Sequence, residues 1–142
     1  MRTIGALIFP GFELLDVFGP MEMFGLLSKD YELNLIAEHK GAIQSGQKLS
    51  AVADFSIKDR LDFDIIFVPG GAGTRKEVEN SNVLKWIEKT ADHAEFVLSV
   101  CTGSALLAKT GLLDDKRATT NKAAFEWVVS QGPRVQWVKQ AI

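Results

Sequence analysis

One run of residues predicts a strand, a tight turn and a helix in direct succession: Phe96-Val97-Leu98-Ser99-Val100-Cys101-Thr102-Gly103-Ser104-Ala105-Leu106-Leu107. Residues 96–100 are mostly apolar and rich in β-formers, which is typical of a strand covered on both faces. Residues 104–109 favour a helix, and Gly111 stands where a C-terminal cap belongs. Almost no room is left between the two elements, so the turn is expected to be sharp.

Cys101 occupies this turn, and it is the single cysteine of the chain. A residue held there is expected to be strained and pushed out at the strand's carboxyl end, which is the geometry of a nucleophile elbow. Unpaired amides and the helix dipole favour an anion at this position, so we expect a lowered pKa for the Cys101 thiol. The turn alone fits a small buried hydrophobic cysteine equally well.

The composition is that of one globular domain, with 142 residues, 46% hydrophobic and 24% charged. A net charge of −2 without a basic block argues against nucleic acid and anionic membranes as partners. A single cysteine excludes an internal disulfide and a cysteine-based zinc site, and it fits a reducing compartment. The apolar run at residues 3–9 is too short for a signal core, so we expect a cytoplasmic protein.

Strands and helices alternate along most of the chain, which predicts an α/β fold with a mostly parallel sheet sandwiched by helices, flavodoxin-like in type. The predicted strands are at residues 3–9, 31–37, 65–68, 96–100, 117–120 and 135–138. The predicted helices are at residues 13–27, at a segment capped by Ser81 or Asn82, at 104–109 and at 123–131. Gly19-Pro20 should break or kink the first helix, and residues 41–57 suggest a small hairpin off the main sheet.

Ligands of such sheets collect at the carboxyl ends of the strands, where three signals fall: the segment after Pro10-Gly11, the loop at residues 69–73, and Cys101. Asp16 lies in the first of them, among bulky apolar residues. Burying a carboxylate there is costly unless it is paired or protonated. With a raised pKa beside a thiolate, Asp16 could relay a proton. The alternative is a solvent-facing or capping aspartate.

The loop at residues 69–73 is Pro69-Gly70-Gly71-Ala72-Gly73. Its glycines would let backbone amides approach a ligand, as an oxyanion hole requires, although a flexible loop is the simpler reading. It matches neither a dinucleotide fingerprint nor a P-loop. A Cys–His pair is also disfavoured, because His93 precedes its strand and should lie about 16 Å from Cys101. His39 follows the second strand but has solvated neighbours.

Four ordered motifs together resemble the ThiJ/PfpI superfamily, whose fold is like that of the class I glutamine amidotransferases. They are Leu15-Asp16-Val17-Phe18-Gly19-Pro20, Val68-Pro69-Gly70-Gly71, Ser99-Val100-Cys101-Thr102-Gly103-Ser104, and Gly111-Leu112-Leu113 with Lys116-Arg117-Ala118-Thr119-Thr120. The resemblance covers nearly the whole chain. Asp16 with Cys101-Thr102-Gly103 looks most like the isocyanide hydratase branch.

The resemblance implies a cysteine-dependent hydratase (a lyase) that turns an isocyanide into an N-substituted formamide. Cys101 and Asp16 would be catalytic, with Glu13 as second choice for the acid. Gly70, Gly71 and Thr102 would bind the substrate or oxyanion, the amides of Gly71 and Thr102 steadying negative charge. The resemblance also implies a small-molecule substrate, no metal, no cofactor and a homodimer.

Three departures from the family pattern bear on this expectation. Thr102 stands where the protease-like branch has histidine, which argues against a peptidase. Asn121 stands where many hydratase-like members have histidine, which leaves substrate choice open. Residues 1–142 are expected to form one domain that lacks the family's C-terminal portion.

Two alternative functions stay open at this stage. A glyoxalase or deglycase acting on reactive carbonyls would use the same thiolate, although those branches usually carry glutamate in place of Asp16. A non-enzymatic redox sensor would instead use an accessible, low-pKa Cys101. A ligand-sensing half of a transcription regulator ranks lower, since these residues include no DNA-binding domain.

Overall fold

The computed structural model describes residues 1–141. In chain order the strands are β1 (Arg2–Leu7), β2 (Tyr31–Ala37), β3 (Gly41–Gln44), β4 (Ser50–Ala53), β5 (Phe55–Ser56), β6 (Ile65–Val68), β7 (Phe96–Ser99), β8 (Arg117–Ala118) and β9 (Gln136–Trp137). The helices are α1 (Leu14–Gly25), α2 (Thr74–Glu77), α3 (Ser81–Ala91), α4 (Gly103–Lys109) and α5 (Phe125–Gln131). Within the described residues, no helix is both long and apolar enough to cross a bilayer.

A five-stranded sheet forms the centre of the molecule, in the spatial order β5-β2-β1-β6-β7. All of its strand pairs are parallel, so the predicted α/β class is confirmed. The chain moves from β1 outward to β2 and β5, and then returns to the other side of β1 to form β6. The strand order therefore reverses between β1 and β6, which is the point where open α/β sheets bind their ligands.

The core lies on and around the two central strands. All four residues of β6 are buried, as are Ile4, Ala6 and Leu7 of β1. The apolar face of α3 adds Val83 and Ile87. Burying one such aliphatic side chain contributes about 1.5–3 kcal/mol, so the centre of the sheet is the best-stabilised part of the fold.

The strand before Cys101 differs from its prediction. We expected a strand covered on both faces, but β7 is the last strand of the sheet, Phe96 is 50% exposed and the other residues are half-buried. An apolar run has the same sequence signature in a central strand and at an edge, so composition could not show the difference. Of the break or kink expected at Gly19-Pro20, the break is wrong, since α1 continues through Pro20. Proline has no backbone N–H, so one helical hydrogen bond is missing there, and the other backbone hydrogen bonds keep the helix continuous.

The elements outside the centre of the sheet agree only in part with their predictions. β3 and β4 form the predicted hairpin as a separate antiparallel pair. The rest of the range predicted for it, residues 41–57, is not all off the main sheet, since β5 pairs with β2 at its edge. β8 and β9 form a small parallel pair outside the main sheet. The cap of α3 is Asn80 rather than Ser81 or Asn82. Its side chain accepts hydrogen bonds from the backbone amides of Asn82 and Val83 at 3.2 and 3.4 Å.

Candidate active site

Three segments that lie far apart in sequence meet at the carboxyl edge of the sheet. Asp16 lies in the first turn of α1 after β1, Gly70 follows β6, and Cys101 follows β7. The amide of Gly70 donates a hydrogen bond to Oδ2 of Asp16 at 3.1 Å, across 54 positions of the chain. The sheet topology therefore brings the predicted acid and the predicted glycine loop together next to the cysteine.

Cys101 has the backbone geometry expected of a nucleophile elbow. Its φ is +55°, in the left-handed region, and its side chain is half-buried. A residue other than glycine costs about 1–2 kcal/mol in this conformation, so the surrounding structure must hold it there. The strain predicted from the short turn is confirmed.

Gly70 and Gly71 allow the loop after β6 to lie directly against other backbone. A Cβ on Gly70 would be 2.6 Å from the Thr102 nitrogen and 2.8 Å from the Cys101 Cβ. Gly71 has a φ of +122°, and a Cβ there would be 2.5 Å from the Glu13 nitrogen. Glycine is thus required at both positions, because side chains would push the loop away from α1 and the Cys101 turn.

The backbone amides of this loop are engaged differently from the prediction. The Gly70 amide is bonded to Asp16, and the Gly71 amide donates to Oγ1 of Thr102 at 3.1 Å. Both amides have protein acceptors in this structure and thereby position Asp16 and Thr102, while an oxyanion role for Gly70 and Gly71 stays a prediction. The Thr102 amide, in contrast, lowers the pKa of the Cys101 thiol and so favours the thiolate.

The environment raises the pKa of both Asp16 and Cys101. Burial is the main cause for Asp16, and the charge of Glu13 adds to it, while the Gly70 amide and the Cys101 thiol partly offset the rise. Burial is also the main cause for Cys101, and the Asp16 carboxylate raises its pKa further against the opposing Thr102 amide. The predicted lowering of the Cys101 pKa is therefore wrong, because desolvation and a neighbouring anion outweigh the amides at the start of α4.

Glu13, the second choice for the acid, is turned towards the β3–β4 hairpin. Its Oε1 accepts a hydrogen bond from Nε2 of Gln47 at 2.8 Å, and Oε1 of Gln47 in turn accepts from the Leu14 amide at 3.0 Å. Glu13 raises the pKa of both Asp16 and Cys101 by its charge but is tied to a different partner. Sequence reasoning missed Gln47, since nothing local links a hairpin turn to the start of α1.

Buried hydroxyl groups surround the turn, and sequence reasoning assigned them no role. Thr74 is fully buried, and its Oγ1 lies 3.1 Å from Oγ1 of Thr102. Ser104 and Thr120 are also buried and lie beside the carbonyl oxygen of Cys101. The available signals were the place of Ser104 in the third of the four motifs and the Thr119-Thr120 pair in the last.

Other features of the surface lie away from this site. A cavity of about 450 Å³ is lined by Glu38, Lys58, Lys85 and Trp86 among others and includes neither Asp16 nor Cys101. Within residues 1–141, no cluster of three or more His, Cys, Asp and Glu side chains could hold a metal ion.

Comparison with known proteins shows the family of this chain. The family model described as the DJ-1/PfpI family matches residues 2–141. The chain belongs to the DJ-1/PfpI family. The predicted resemblance to ThiJ/PfpI proteins is thereby confirmed.

The names of individual similar proteins describe different functions. An isonitrile hydratase from Pseudomonas putida is 36% identical over 129 residues, which are 91% of this chain and 56% of that protein. A crystal structure of a ThiJ/PfpI family protein from Pseudomonas syringae superimposes with a TM-score of 0.85 at 27% identity, over 92% of this chain and 55% of that one. An HTH-type transcriptional regulator from Pseudomonas aeruginosa is 23% identical over 84% of this chain and 37% of its own length. The chain thus spans little more than half of the first two proteins.

Proposed function

We propose that this chain carries the active site of a cysteine-dependent isocyanide hydratase, which adds water to an isocyanide and releases an N-substituted formamide. One observation carries the proposal: the Cys101 thiol, in its left-handed turn, lies next to the Asp16 carboxyl that Gly70 holds in place. A nucleophile with an acid–base group beside it is the arrangement that covalent catalysis requires.

In the first step the thiol proton passes to Asp16. The raised pKa of Asp16 makes this carboxylate a better proton acceptor than an exposed one, and it prepares the resulting acid to give the proton up again. The sulfur lone pair then forms a bond to the terminal carbon of the isocyanide. That carbon takes the proton from Asp16, which leaves a thioimidate on Cys101 and an ionised Asp16.

In the second step water is added to the thioimidate. Asp16 takes a proton from water as the oxygen bonds to the same carbon, and the imine nitrogen receives that proton. The hydroxyl of the resulting adduct then loses its proton to Asp16, the C=O bond forms and the C–S bond breaks. The thiolate that leaves takes the proton back, so both residues return to their starting state.

The Thr102 amide supports this cycle each time sulfur carries negative charge. It is the group that lowers the pKa of Cys101 most. A preformed donor aimed at developing charge stabilises the transition state without reorganisation. The relative from Pseudomonas putida, an isonitrile hydratase by name, adds independent support for this substrate class.

The direct test is to incubate the chain with para-nitrophenyl isocyanide and measure the N-substituted formamide. We expect formamide to form at a rate proportional to protein concentration. Methylglyoxal serves as the comparison substrate. Consumption of methylglyoxal without hydration of the isocyanide would replace the proposal by the glyoxalase or deglycase alternative.

The redox-sensor alternative is less well supported by the site. Selective oxidation favours an exposed cysteine with a lowered pKa, whereas Cys101 is half-buried and its pKa is raised. We therefore place catalysis ahead of sensing for this cysteine.

A further inference from the structure

The carbonyl oxygen of Cys101 has an unusual set of neighbours. Oγ1 of Thr120 lies 2.9 Å from it and Oγ of Ser104 lies 3.1 Å from it. The two hydroxyl oxygens are 2.8 Å apart, and both side chains are buried. These three oxygens form a compact group under the turn, here named the hydroxyl clamp.

Each hydroxyl has one proton, and one assignment uses both on the shortest contacts. Thr120 donates to the Cys101 carbonyl, and Ser104 donates to Thr120 Oγ1. A donor that itself accepts a hydrogen bond is polarised and donates more strongly, so Ser104 reinforces the bond from Thr120. The clamp is therefore a series of two hydrogen bonds, from Ser104 to Thr120 and from Thr120 to the backbone carbonyl of Cys101.

The helix that follows does not supply this carbonyl with a partner. In a regular helix the amide of Ala105 would bond to the carbonyl four positions earlier, which is that of Cys101. It bonds instead to the carbonyl of Thr102, at 2.9 Å. The hydroxyl clamp thus replaces the missing helical bond at the residue whose backbone is held at a φ of +55°.

We propose that Thr120 is a positioning residue: its hydroxyl, supported by Ser104, holds the Cys101 carbonyl and thereby keeps the thiol beside Asp16. The proposal rests on the proposed role of Cys101 as nucleophile and adds a distant segment to it. Thr120 follows β8, so the segment after this short strand contributes to the site through Thr120. Thr119, its neighbour, has no such part, since its hydroxyl accepts a bond from Lys122 instead.

The test compares Thr120→Val, which removes the hydroxyl at nearly constant volume, with Thr119→Val as the matched control and Thr120→Ser as the conservative rescue. Two quantities are measured on protein shown to be folded by circular dichroism. One is the pH midpoint of Cys101 alkylation by iodoacetamide, and the other is kcat and KM for para-nitrophenyl isocyanide.

For Thr120→Val we expect kcat to fall about tenfold with KM within about twofold, since one buried hydrogen bond is lost. We also expect the alkylation midpoint to move to lower pH, because a thiol that leaves Asp16 escapes the charge that raises its pKa. Thr120→Ser and Thr119→Val should both behave as the wild type does.

The outcomes separate this proposal from the proposed function. A folded Thr120→Val with the wild-type alkylation midpoint overturns the clamp, as does an equal change in Thr119→Val. If Thr120→Val does not fold, Ser104→Ala takes its place with the same two readouts, and an unchanged midpoint there likewise overturns it. If the wild type hydrates no isocyanide while the alkylation midpoint shifts as expected, the clamp stands and the proposed function fails.

Discussion

Replacing Gly70 by alanine places a methyl group inside the turn that carries Cys101. The new Cβ would lie 2.6 Å from the Thr102 nitrogen, 2.8 Å from the Cys101 Cβ and 2.8 Å from the Thr102 Oγ1, where ordinary contacts begin at 3.4 Å. Two of these atoms belong to the turn's own framework, so the loop and the turn have to move apart. Overpacking of this kind costs about 1–3 kcal/mol, which corresponds to a fall in Tm of about 3–10 °C for a chain of this size.

The same displacement separates Cys101 from Asp16, because the Gly70 amide holds the carboxyl. A misplacement of about 1 Å at a reacting group lowers the rate by about 100-fold, so we expect turnover of para-nitrophenyl isocyanide by Gly70→Ala to fall by about that factor. Gly25→Ala is the matched control, since its Cβ would meet only Leu33 Cδ1 at an ordinary 3.5 Å. Wild-type turnover and Tm in Gly70→Ala would refute the reasoning.

Three further predictions follow from hydrogen bonds and buried charges. Asp16→Asn keeps a side-chain oxygen that accepts from the Gly70 amide but removes the negative charge and the proton acceptor, so turnover should fall by about 100-fold or more. Iodoacetamide should alkylate Cys101 faster at pH 7, because the Asp16 charge no longer raises the pKa of the thiol. Slower alkylation would contradict that cause of the raised pKa. Burial raises the pKa of Glu77, so its carboxyl binds a proton more tightly in the native state than in the unfolded state. The free energy of unfolding that this proton contributes is lost as the pH rises from about 4 through the pKa of the folded state. Glu77→Gln should therefore gain stability over the wild type across that window in urea unfolding, and a constant difference at every pH would count against it. Asn80→Ala should lower the free energy of unfolding by about 1 kcal/mol or more without changing Cys101 alkylation, and an unaltered urea midpoint would remove Asn80 as the cap of α3.

The central strands and the elbow could be predicted because their signals are local. β6 is a continuous apolar run between turn residues, and the distance from β7 to α4 leaves room only for a sharp turn. The left-handed Cys101 follows from that spacing. The exposure of Phe96 does not, because a strand's place in the sheet depends on how all of the strands are ordered.

The cap of α3 shows how a distant element decides a local choice. Asn80, Ser81 and Asn82 are all residues that favour the cap position. The side-chain Nδ2 of Asn80 donates to the carboxylates of Glu38 at 2.8 Å and Glu77 at 3.0 Å, which fixes the side chain with its Oδ1 towards the start of α3. The deciding carboxylate of Glu38 lies at the end of β2, and local sequence cannot show that it reaches α3.

The sequence predicts which residues lie at the candidate site, but it gives the pKa of Cys101 the wrong direction, and the roles of these residues stay predictions. Asp16 and Cys101 meet as expected, because both follow strands of one parallel sheet. The glycines do permit close approach, but the groups that approach them are protein groups: Asp16 at Gly70 and Thr102 at Gly71. The pKa of Cys101 depends on burial and on a neighbouring carboxylate from another helix, so the direction of its shift cannot be predicted from the turn alone.

The central claim is that the Cys101 sulfur bonds to the substrate carbon. It is tested most directly by the rate at which Cys101→Ala converts para-nitrophenyl isocyanide to formamide, measured against the wild type and against buffer. We predict that the wild type forms formamide faster than buffer does and that the rate for Cys101→Ala falls to that of buffer alone. Hydration by folded Cys101→Ala at the wild-type rate would contradict it.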